Sequence, residues 1–323
     1  MICRICNNSE RNSTLLVKEL HHCSRESFLY FQCSSCGCIQ IGTIPVNISD
    51  YYPSDYYSFN RQDADKFLQK KMNYFKRIQV KYIIDGQPKL IGKLFTFGYR
   101  HAMLFDWLRN LKLHKDAYVL DIGSGDGDEL KRMYQLGFRN LTGVDPFIPR
   151  NYHFTESFNI YKKEPLALNN ESTFDCIMMH HSFEHMEKQK EVLKHIKHLL
   201  KPSGKVLIRI PLVSDTLLKR YGSNLVSLDA PRHIYIHSLK SMQMLCHEVG
   251  FKIQQIAFDA EEFSFWASEQ YAKGICLNAP NSYARTREKS MFTKGMIKEF
   301  KKQITELNHK GESDNAAFYL NLL

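Results

Sequence analysis

The stretch Tyr118-Val-Leu-Asp-Ile-Gly-Ser-Gly-Asp-Gly127 decides the fold at the centre of this chain of 323 residues. Its apolar start is typical of a buried strand, and residues 129–136 after it carry apolar side chains at helical spacing. Three alternate glycines between them predict a tight turn, because glycine tolerates positive φ and close contacts at low steric cost. A strand, a glycine loop and a helix N-terminus in this order predict a ligand site at the carboxyl edge of a parallel sheet.

Two carboxylates restrict what this loop accommodates. Asp121 ends the first strand, and Asp145 ends a second predicted strand at 141–145. The spacing G-x-G-x-G is not the dinucleotide fingerprint, and a carboxylate beside the loop repels a pyrophosphate but can pair with an ammonium group. A carboxylate at the second strand suits a ribose diol. The sequence thus predicts a nucleotide-like ligand, and the alternative is an ordinary α/β turn that binds nothing.

Predicted strands and helices alternate through the rest of the core. Further strands are predicted at 158–162, 174–179, 205–211, 251–258 and 314–322, and helices at 189–200 and 238–249. The alternation predicts an α/β fold, with a Rossmann-like sheet of seven mostly parallel strands and helices on both faces. The lysine-rich segment 262–310 is predicted to be a mostly helical insert before the last strand. Three interpretations of this segment are open: it recognises substrate, it forms a dimer surface, or it is an ordinary solvated face.

The cysteines concentrate at the start of the chain, where six of the nine lie within the first 38 residues. Two C-x-x-C pairs there, Cys3 with Cys6 and Cys33 with Cys36, predict two turns that together bind a structural zinc ion tetrahedrally. A strand-like run at 28–32 leads into the second pair, as in a zinc ribbon. The alternative is a redox or disulfide pair. Four other residues remain possible replacements for one zinc ligand: Cys23, Cys38, His21 and His22.

These patterns divide the chain into three predicted regions. They are a zinc-ribbon-like domain at 1–48, an aromatic linker and helical cap at 49–115, and a core at 116–323. The tyrosine-rich stretch 50–59 contains proline and aspartate and is predicted to be a loop, either a lid over the site or a packed linker. Apolar residues at helical spacing between 62 and 115 predict helices that cap the site.

The chain is basic, with a formal net charge of +10 from 44 basic and 34 acidic side chains. Such an excess favours polyanionic partners such as nucleic acid, sugar nucleotides or phospholipid surfaces, although basic stretches are also ordinary solvated faces. No apolar run has the length of a membrane span. Cysteines at positions 3 and 6 argue against a cleavable signal, so we expect the protein in the cytoplasm.

Together these motifs resemble the class I S-adenosylmethionine-dependent methyltransferases. Residues 200–208, LKPSGKVLI, look like the late helix–turn–strand segment of that family's core. The segments His180-His-Ser-Phe-Glu-His185 and Asp229-Ala-Pro-Arg-His233 resemble those of a bacterial branch that often carries an amino-terminal cysteine ribbon. Members of that branch are often associated with polysaccharide or secondary-metabolite assembly. The resemblance covers essentially the whole chain and indicates a reaction class better than a substrate.

The resemblance implies roles for the residues of the loop and its two acids. The methionine part of S-adenosylmethionine would lie against Asp121, Gly123, Ser124, Gly125 and Gly127, and its ribose hydroxyls against Asp145. The adenine-contacting acid expected after the third strand has no clear counterpart. Glu164 is the candidate, although Pro165 disturbs its context.

Methyl transfer from a sulfonium requires alignment of the acceptor and, for a hydroxyl, amine or carbon acid, removal of a proton. Histidine suits proton removal near neutral pH. Four candidates lie in loops predicted at the carboxyl edge of the sheet: His181, Glu184, His185 and His233. Glu184 orients one of the histidines or acts alone. Arg232 is predicted either to bind a phosphate or carboxylate or to form a structural ion pair with Asp229.

The sequence therefore favours a methyltransferase that uses S-adenosylmethionine and acts on a small-molecule or glycan-type acceptor, such as a sugar or sugar nucleotide. The alternative is an RNA methyltransferase, although the residues after the fourth strand, His180-His-Ser-Phe183, are not the N-P-P-Y-type tetrad of base amino-methylation. The third hypothesis is a non-catalytic interaction protein built on the zinc ribbon. The methylated atom and the oligomeric state are left open.

Overall fold

The computed structural model of the chain describes residues 1–52, 103–169 and 174–323. The described residues form twelve strands: β1 Ser13–Lys18, β2 Ser27–Gln32, β3 Ile39–Ile41, β4 Val119–Ile122, β5 Leu141–Val144, β6 Tyr152–Thr155, β7 Phe158–Tyr161, β8 Phe174–His180, β9 Leu200–Pro211, β10 Tyr235–Ile236, β11 Phe251–Phe258 and β12 Asn315–Leu322. They also form seven α-helices: α1 Met103–Leu111, α2 Asp128–Gln135, α3 Gln189–Leu199, α4 Asp215–Tyr221, α5 Leu239–Val249, α6 Phe263–Ala272 and α7 Lys294–Lys310. The predicted tyrosine-rich loop beyond residue 52 and the predicted cap helices between 62 and 102 lie outside the described residues.

The larger sheet contains eight of these strands in the order β11-β12-β9-β8-β4-β5-β7-β6. Strands β9, β8, β4, β5 and β7 are parallel, whereas β12 and β6 run antiparallel to their neighbours. All four residues of β4 are buried, as expected for a central parallel strand covered on both faces. The predicted Rossmann-like α/β fold is confirmed, and the last strand inserts between β9 and β11 after the predicted insert.

The sheet has one strand more than the seven expected from the sequence. The additional strand, β6, forms a hairpin with β7 in which Tyr152 lies opposite Ile160. Its sequence, Tyr152-His-Phe-Thr155, is short, and only Phe154 in it is buried. Strand periodicity is therefore weak at this edge of the sheet, which explains why the sequence pattern did not indicate it.

A second sheet of four strands has the order β1-β2-β3-β10. Its first three strands come from the cysteine-rich N-terminal region, but β10 comes from the core sequence. Tyr235 and Ile236 of β10 pair antiparallel with Gln40 and Ile39 of β3. The ribbon is thus joined by main-chain hydrogen bonds to the segment that follows His233.

The segment 262–310 is built into the folded core and is more than a solvated face. Phe265 of α6 stacks on Phe300 of α7, with ring centroids 5.5 Å apart. These side chains share one buried cluster with Tyr30 and Phe31 of the ribbon. The insert therefore packs on the same side of the molecule as the ribbon. Within the described part of the chain, no helix combines the length and apolar character that crossing a membrane requires.

Candidate active site

The glycine loop between β4 and α2 lies close to neighbouring segments at two of its glycines, Gly123 and Gly127. Gly123, Gly125 and Gly127 have φ values of +76°, +55° and +86°. A Cβ atom on Gly123 would lie 2.3 Å from the Cβ of Ser182, and one on Gly127 would lie 2.2 Å from the Cδ1 of Ile160. The predicted turn is present; positive φ favours glycine at all three positions, and the contact with Ser182 adds a steric requirement at Gly123.

The two predicted acids flank this loop at the ends of β4 and β5. Asp145 accepts hydrogen bonds from the main-chain N–H groups of Gly125 (3.0 Å) and Phe147 (2.8 Å), so it fixes the loop. Asp121 is buried, and its Oδ1 has no hydrogen-bond partner among the described residues. Burial raises the pKa of both carboxyl groups. A buried carboxylate oxygen that lacks a donor fits a ligand that brings a cationic N–H group.

A cavity of about 460 Å³, which we call the cofactor cleft, opens in front of the loop. It is lined by Gly123 and Asp145 and by Glu164, which is exposed and precedes a 3₁₀ turn. Tyr52 covers one side by stacking on Phe147, with ring centroids 5.0 Å apart. The proposed adenine role of Glu164 stays a prediction, although the residue lies in the right cavity for it.

A second cavity of about 480 Å³, which we call the histidine cavity, adjoins the cofactor cleft. The two cavities share His181 and His185 in their walls. The remaining polar lining of the histidine cavity comes from several parts of the chain: His21, Arg209, Ser227, Asp229, His233, Glu261, Ser264, Asn278, Asp314 and Asn315. The predicted histidines are thus brought to the boundary between two sites.

His181 follows β8 in the left-handed region, with a φ of +48°. Such a backbone conformation in a residue other than glycine costs on the order of 1–3 kcal/mol and is concentrated at functional sites. The guanidinium of Arg209 donates to its Nε2, and its Nδ1 lies 3.4 Å from Oε1 of Glu184. Burial, assisted by the charge of Arg209, lowers the pKa of His181.

Glu184, His185 and His233 form a compact group beside it. The imidazole of His185 lies 4.8 Å from that of His233, centroid to centroid. Burial and the neighbouring His233 lower the pKa of His185 to about 4. Burial acts to raise the pKa of Glu184, but the surrounding histidines, His181 above all, lower it to about 2. Glu184 is therefore an anion with no exposed surface.

The ribbon holds the loop that presents His233. The hydroxyl of Tyr30 donates to the main-chain oxygen of His233 at 2.8 Å. Arg232 is 1% exposed, forms an ion pair with Asp229 and donates to Nε2 of His22 at 3.0 Å. Of the two roles predicted for Arg232, the ion pair with Asp229 is the one present.

The structure brings the four predicted zinc ligands together. The Sγ atoms of Cys3 and Cys36 are 3.6 Å apart, those of Cys6 and Cys33 are 3.5 Å apart, and the four thiols form one cluster with the spacing of a metal site. Gln40 donates to Sγ of Cys3 at 2.9 Å, as expected beside a thiolate. This donor set suits zinc.

The candidate replacement ligands have other partners. Cys23 forms a disulfide with Cys276, and the thiol of Cys38 donates to the carbonyl of Ile39. His22 contacts Arg232, and His21 contacts Asp229.

Several residues of the histidine cavity were missed by sequence reasoning. Arg209 donates to Asp259 at 2.6 Å, and Asn315 contacts the same carboxylate. Asp259 directly follows β11. Like Asp121, it is an acid at the end of a strand, so the same sequence pattern could have indicated it. His21 carried no signal, because its place depends on the packing of the ribbon.

Comparisons with known proteins identify similar proteins for the core of the chain. Residues 97–256 match a family described as a methyltransferase domain. A tRNA U34 carboxymethyltransferase of Helicobacter pylori (strain HPAG1) is 25% identical over 162 residues, which are 47% of this chain and 62% of that protein. EEF1A lysine methyltransferase 2 of Homo sapiens is 32% identical over 126 residues, which are 32% of this chain and 52% of that protein.

The matched region is less than two thirds of the length of either of these curated relatives. Among solved structures, a SAM-dependent methyltransferase from Archaeoglobus fulgidus is 21% identical, with a TM-score of 0.42, and the match covers 70% of this chain and 97% of that chain. The ribbon and the insert beyond residue 256 lie outside the region that matches the family.

Proposed function

Since residues 97–256 belong to the class I S-adenosylmethionine-dependent methyltransferases, we propose that this chain methylates a small hydroxylated acceptor of sugar or sugar-nucleotide type. The observation that carries the proposal is the meeting of the cofactor cleft and the histidine cavity at His181 and His185. A methyl donor and an acceptor held in the two cavities would face each other at this boundary, as an in-line displacement requires.

The cofactor cleft is assigned to S-adenosylmethionine. Asp145 is assigned to the ribose hydroxyls, and the partnerless Oδ1 of Asp121 to the ammonium group of the methionine part. Gly123 and Gly127 carry no side chains, so that a ligand can approach the main chain of the loop at these positions. When bound, the cofactor supplies a methyl group on a positively charged sulfur, which is an activated leaving group.

The histidine cavity is assigned to the acceptor. Its volume of about 480 Å³ lies within the range of small-molecule sites. Arg209, Asn278 and Asp314 in its wall offer both donors and acceptors of hydrogen bonds, which suits an acceptor with several hydroxyl groups.

Transfer to a hydroxyl forms a bond between the acceptor oxygen and the methyl carbon, breaks the carbon–sulfur bond and releases the hydroxyl proton. We assign activation of that hydroxyl to the group of Glu184, His185 and His233, of which His185 lines both cavities and His233 lines the histidine cavity. His181 is less suited to accept the proton, because Arg209 donates to its Nε2.

An RNA acceptor is the second candidate. Curated relatives include several proteins named tRNA U34 carboxymethyltransferase, and the net charge of +10 favours a polyanion. The volume of the histidine cavity, about 480 Å³, favours the smaller acceptor. RNA binding would weaken steeply with added salt, because counterions released from phosphates drive it, whereas turnover of a neutral sugar acceptor would not.

The cofactor assignment is tested by calorimetric titration of S-adenosylmethionine into wild type, Asp145→Ala and Asp128→Ala. Asp128 is an exposed acid of the same loop region and serves as the control. Wild type and Asp128→Ala are expected to bind alike, and Asp145→Ala at least tenfold more weakly. Equal binding of S-adenosylmethionine by all three proteins would refute the assignment of Asp145 to the cofactor.

The acceptor is tested with a radiolabelled methyl donor against a panel of sugars and sugar nucleotides and against total tRNA, at two salt concentrations. Label in a sugar or sugar nucleotide supports the proposal. Label in tRNA alone, lost at high salt, would replace it with the second candidate.

A further inference from the structure

Three donor groups converge around His185, which lines both the cofactor cleft and the histidine cavity. Glu184 and His185 lie in a 3₁₀ turn after β8, and His233 lies in the loop before β10. One coordinating atom from each residue lies within 4.8 Å of the others. Within the described part of the chain, this is the one such cluster apart from the four cysteines of the ribbon.

The carboxylate of Glu184 is a buried anion with only loose contacts to its neighbours. The residue has no exposed surface, and neither of its carboxylate oxygens has a hydrogen-bond partner in the described structure. The nearest groups to Oε1 are Nδ1 of His181 at 3.4 Å and Nε2 of His233 at 3.9 Å. A buried carboxylate left in this way is costly, and a bound cation would compensate it.

The hydrogen bonds of the two histidines fix which nitrogen is free to coordinate. Nδ1 of His185 lies 2.9 Å from the carbonyl oxygen of Arg232, and Nδ1 of His233 lies 2.8 Å from that of Ser227. A carbonyl oxygen only accepts, so each Nδ1 carries the proton and each Nε2 carries a lone pair. A histidine that binds a metal through one nitrogen and donates to a carbonyl through the other has this arrangement.

Neighbouring histidines of the same region differ in this respect. Nε2 of His181 accepts from Arg209. Both nitrogens of His237 are engaged by side chains, Nδ1 with Ser241 and Nε2 with Gln189. His180 also has ring nitrogens without a hydrogen-bond partner in the described structure, but its donor atoms do not cluster with Glu184, whereas those of His185 and His233 do.

We propose that Glu184, His185 and His233 bind a divalent transition-metal ion of the zinc class. Two imidazoles and one carboxylate suit such ions, and three protein ligands leave at least one coordination position open. His185 and His233 line the histidine cavity, so the open position faces the space assigned to the acceptor. Asp229 lies beside this group, with Oδ2 3.6 Å from Nε2 of His233, but Arg232 and His21 also engage its carboxylate, so it is not counted among the three ligands.

The ion would act on the acceptor as a Lewis acid. It binds an acceptor hydroxyl, lowers the pKa of that hydroxyl and orients its oxygen, while the released proton passes to solvent. A sugar with neighbouring hydroxyl groups would bind such an ion through two oxygens. This use rests on the proposed methyl transfer, but binding of the ion does not.

The experiment measures metal content and needs neither cofactor nor acceptor. The full-length protein is dialysed against Zn²⁺, freed of excess metal and assayed for bound zinc, and it is loaded with Co²⁺ for spectroscopy. Cobalt bound by thiolates shows sulfur-to-metal charge transfer, which a site of imidazole and carboxylate lacks. The ribbon and the proposed site are therefore distinguished in one sample.

Wild type is expected to bind two metal equivalents, and Glu184→Gln and His233→Ala one equivalent each with the thiolate bands unchanged. His198→Ala, which removes an exposed histidine of α3, is the control and is expected to keep two. A single equivalent in the wild type, or two in both site variants, would overturn the proposal. The wild-type stoichiometry decides even if a variant fails to fold.

Titration of S-adenosylmethionine into the same samples separates this inference from the proposed function. Cofactor binding by a wild type that holds only one metal ion would refute the metal site and leave the methyltransferase assignment intact. A wild type that holds two metal ions but does not bind the cofactor would support the metal site and refute the methyltransferase assignment.

Discussion

Alanine at Gly123 tests the idea that the glycine loop is shaped by its contact with the loop after β8. Gly123 has a φ of +76°, and a Cβ there would lie 2.3 Å from the Cβ of Ser182. Gly274 has nearly the same φ, +70°, and a Cβ there would meet nothing within 4 Å. The two glycines therefore share the conformational cost of a side chain but not the steric one, which makes Gly274→Ala a matched control.

The expected free energies of unfolding follow from these two terms. A residue other than glycine in the left-handed region costs about 1–2 kcal/mol, and this applies to both variants. Overpacking adds about 1–3 kcal/mol, and it applies only to Gly123→Ala. Urea denaturation with a common m-value should therefore show Gly123→Ala less stable than Gly274→Ala by about 1–3 kcal/mol.

A double-mutant cycle identifies the clash as the cause. Ser182→Gly removes the offending Cβ together with the hydroxyl that donates to the carbonyl of Ile122 at 2.7 Å. Combined with Gly123→Ala, it should recover about 0.5–3 kcal/mol relative to the sum of the single changes. Equal losses in Gly123→Ala and Gly274→Ala, with no coupling in the cycle, would refute the argument. Binding of S-adenosylmethionine should weaken in Gly123→Ala and stay unchanged in Gly274→Ala.

Three further changes test other contacts. Burial, together with the charges of Glu129 and Asp145, raises the pKa of Asp121, so its negative charge opposes folding above the pKa that the carboxyl group has in the unfolded chain. Asp121→Asn should therefore increase the free energy of unfolding at pH 7, measured in urea, and weaken cofactor binding, measured by calorimetry. A lower free energy of unfolding would contradict this. Tyr30→Phe removes the hydroxyl that donates to the main-chain oxygen of His233, and it should lower the free energy of unfolding by about 1 kcal/mol. It should also reduce turnover while cofactor affinity stays unchanged. Unchanged turnover would show that the ribbon does not position His233. Removal of zinc by a chelator should lower the Tm of the wild type, because the metal holds the four cysteines of the ribbon together. In Cys36→Ser the chelator should leave the Tm unchanged. A wild-type Tm that does not respond to the chelator would argue against a structural metal in the ribbon.

The core fold was predictable because its determinants are local. The apolar runs around Asp121 and Asp145 and the glycines between them specify strand, loop and helix within a few residues of each other. The strand 251–258 was predicted with the bounds that the structure has. The match of residues 97–256 to a methyltransferase domain confirms the reaction class that the resemblance indicated.

The acceptor side was less predictable because it depends on contacts between distant segments. His21 comes from the ribbon, Asn278 from the insert and Asp314 from the start of the last strand, yet all three line one cavity. The local sequence around each of them would look the same if the segments packed elsewhere. The histidines at 181, 185 and 233 were found only because they lie at strand ends within motifs of the resemblance.

The place of β10 explains why the ribbon and the site belong together. Tyr235 and Ile236 complete the ribbon sheet, and only one residue separates that strand from His233. A shift of the ribbon would therefore displace the Nε2 atom that we assign to the metal. The cysteine cluster, which supplies no group to either cavity, would in this way control the geometry of the acceptor site through two residues of antiparallel pairing and the hydrogen bond from Tyr30.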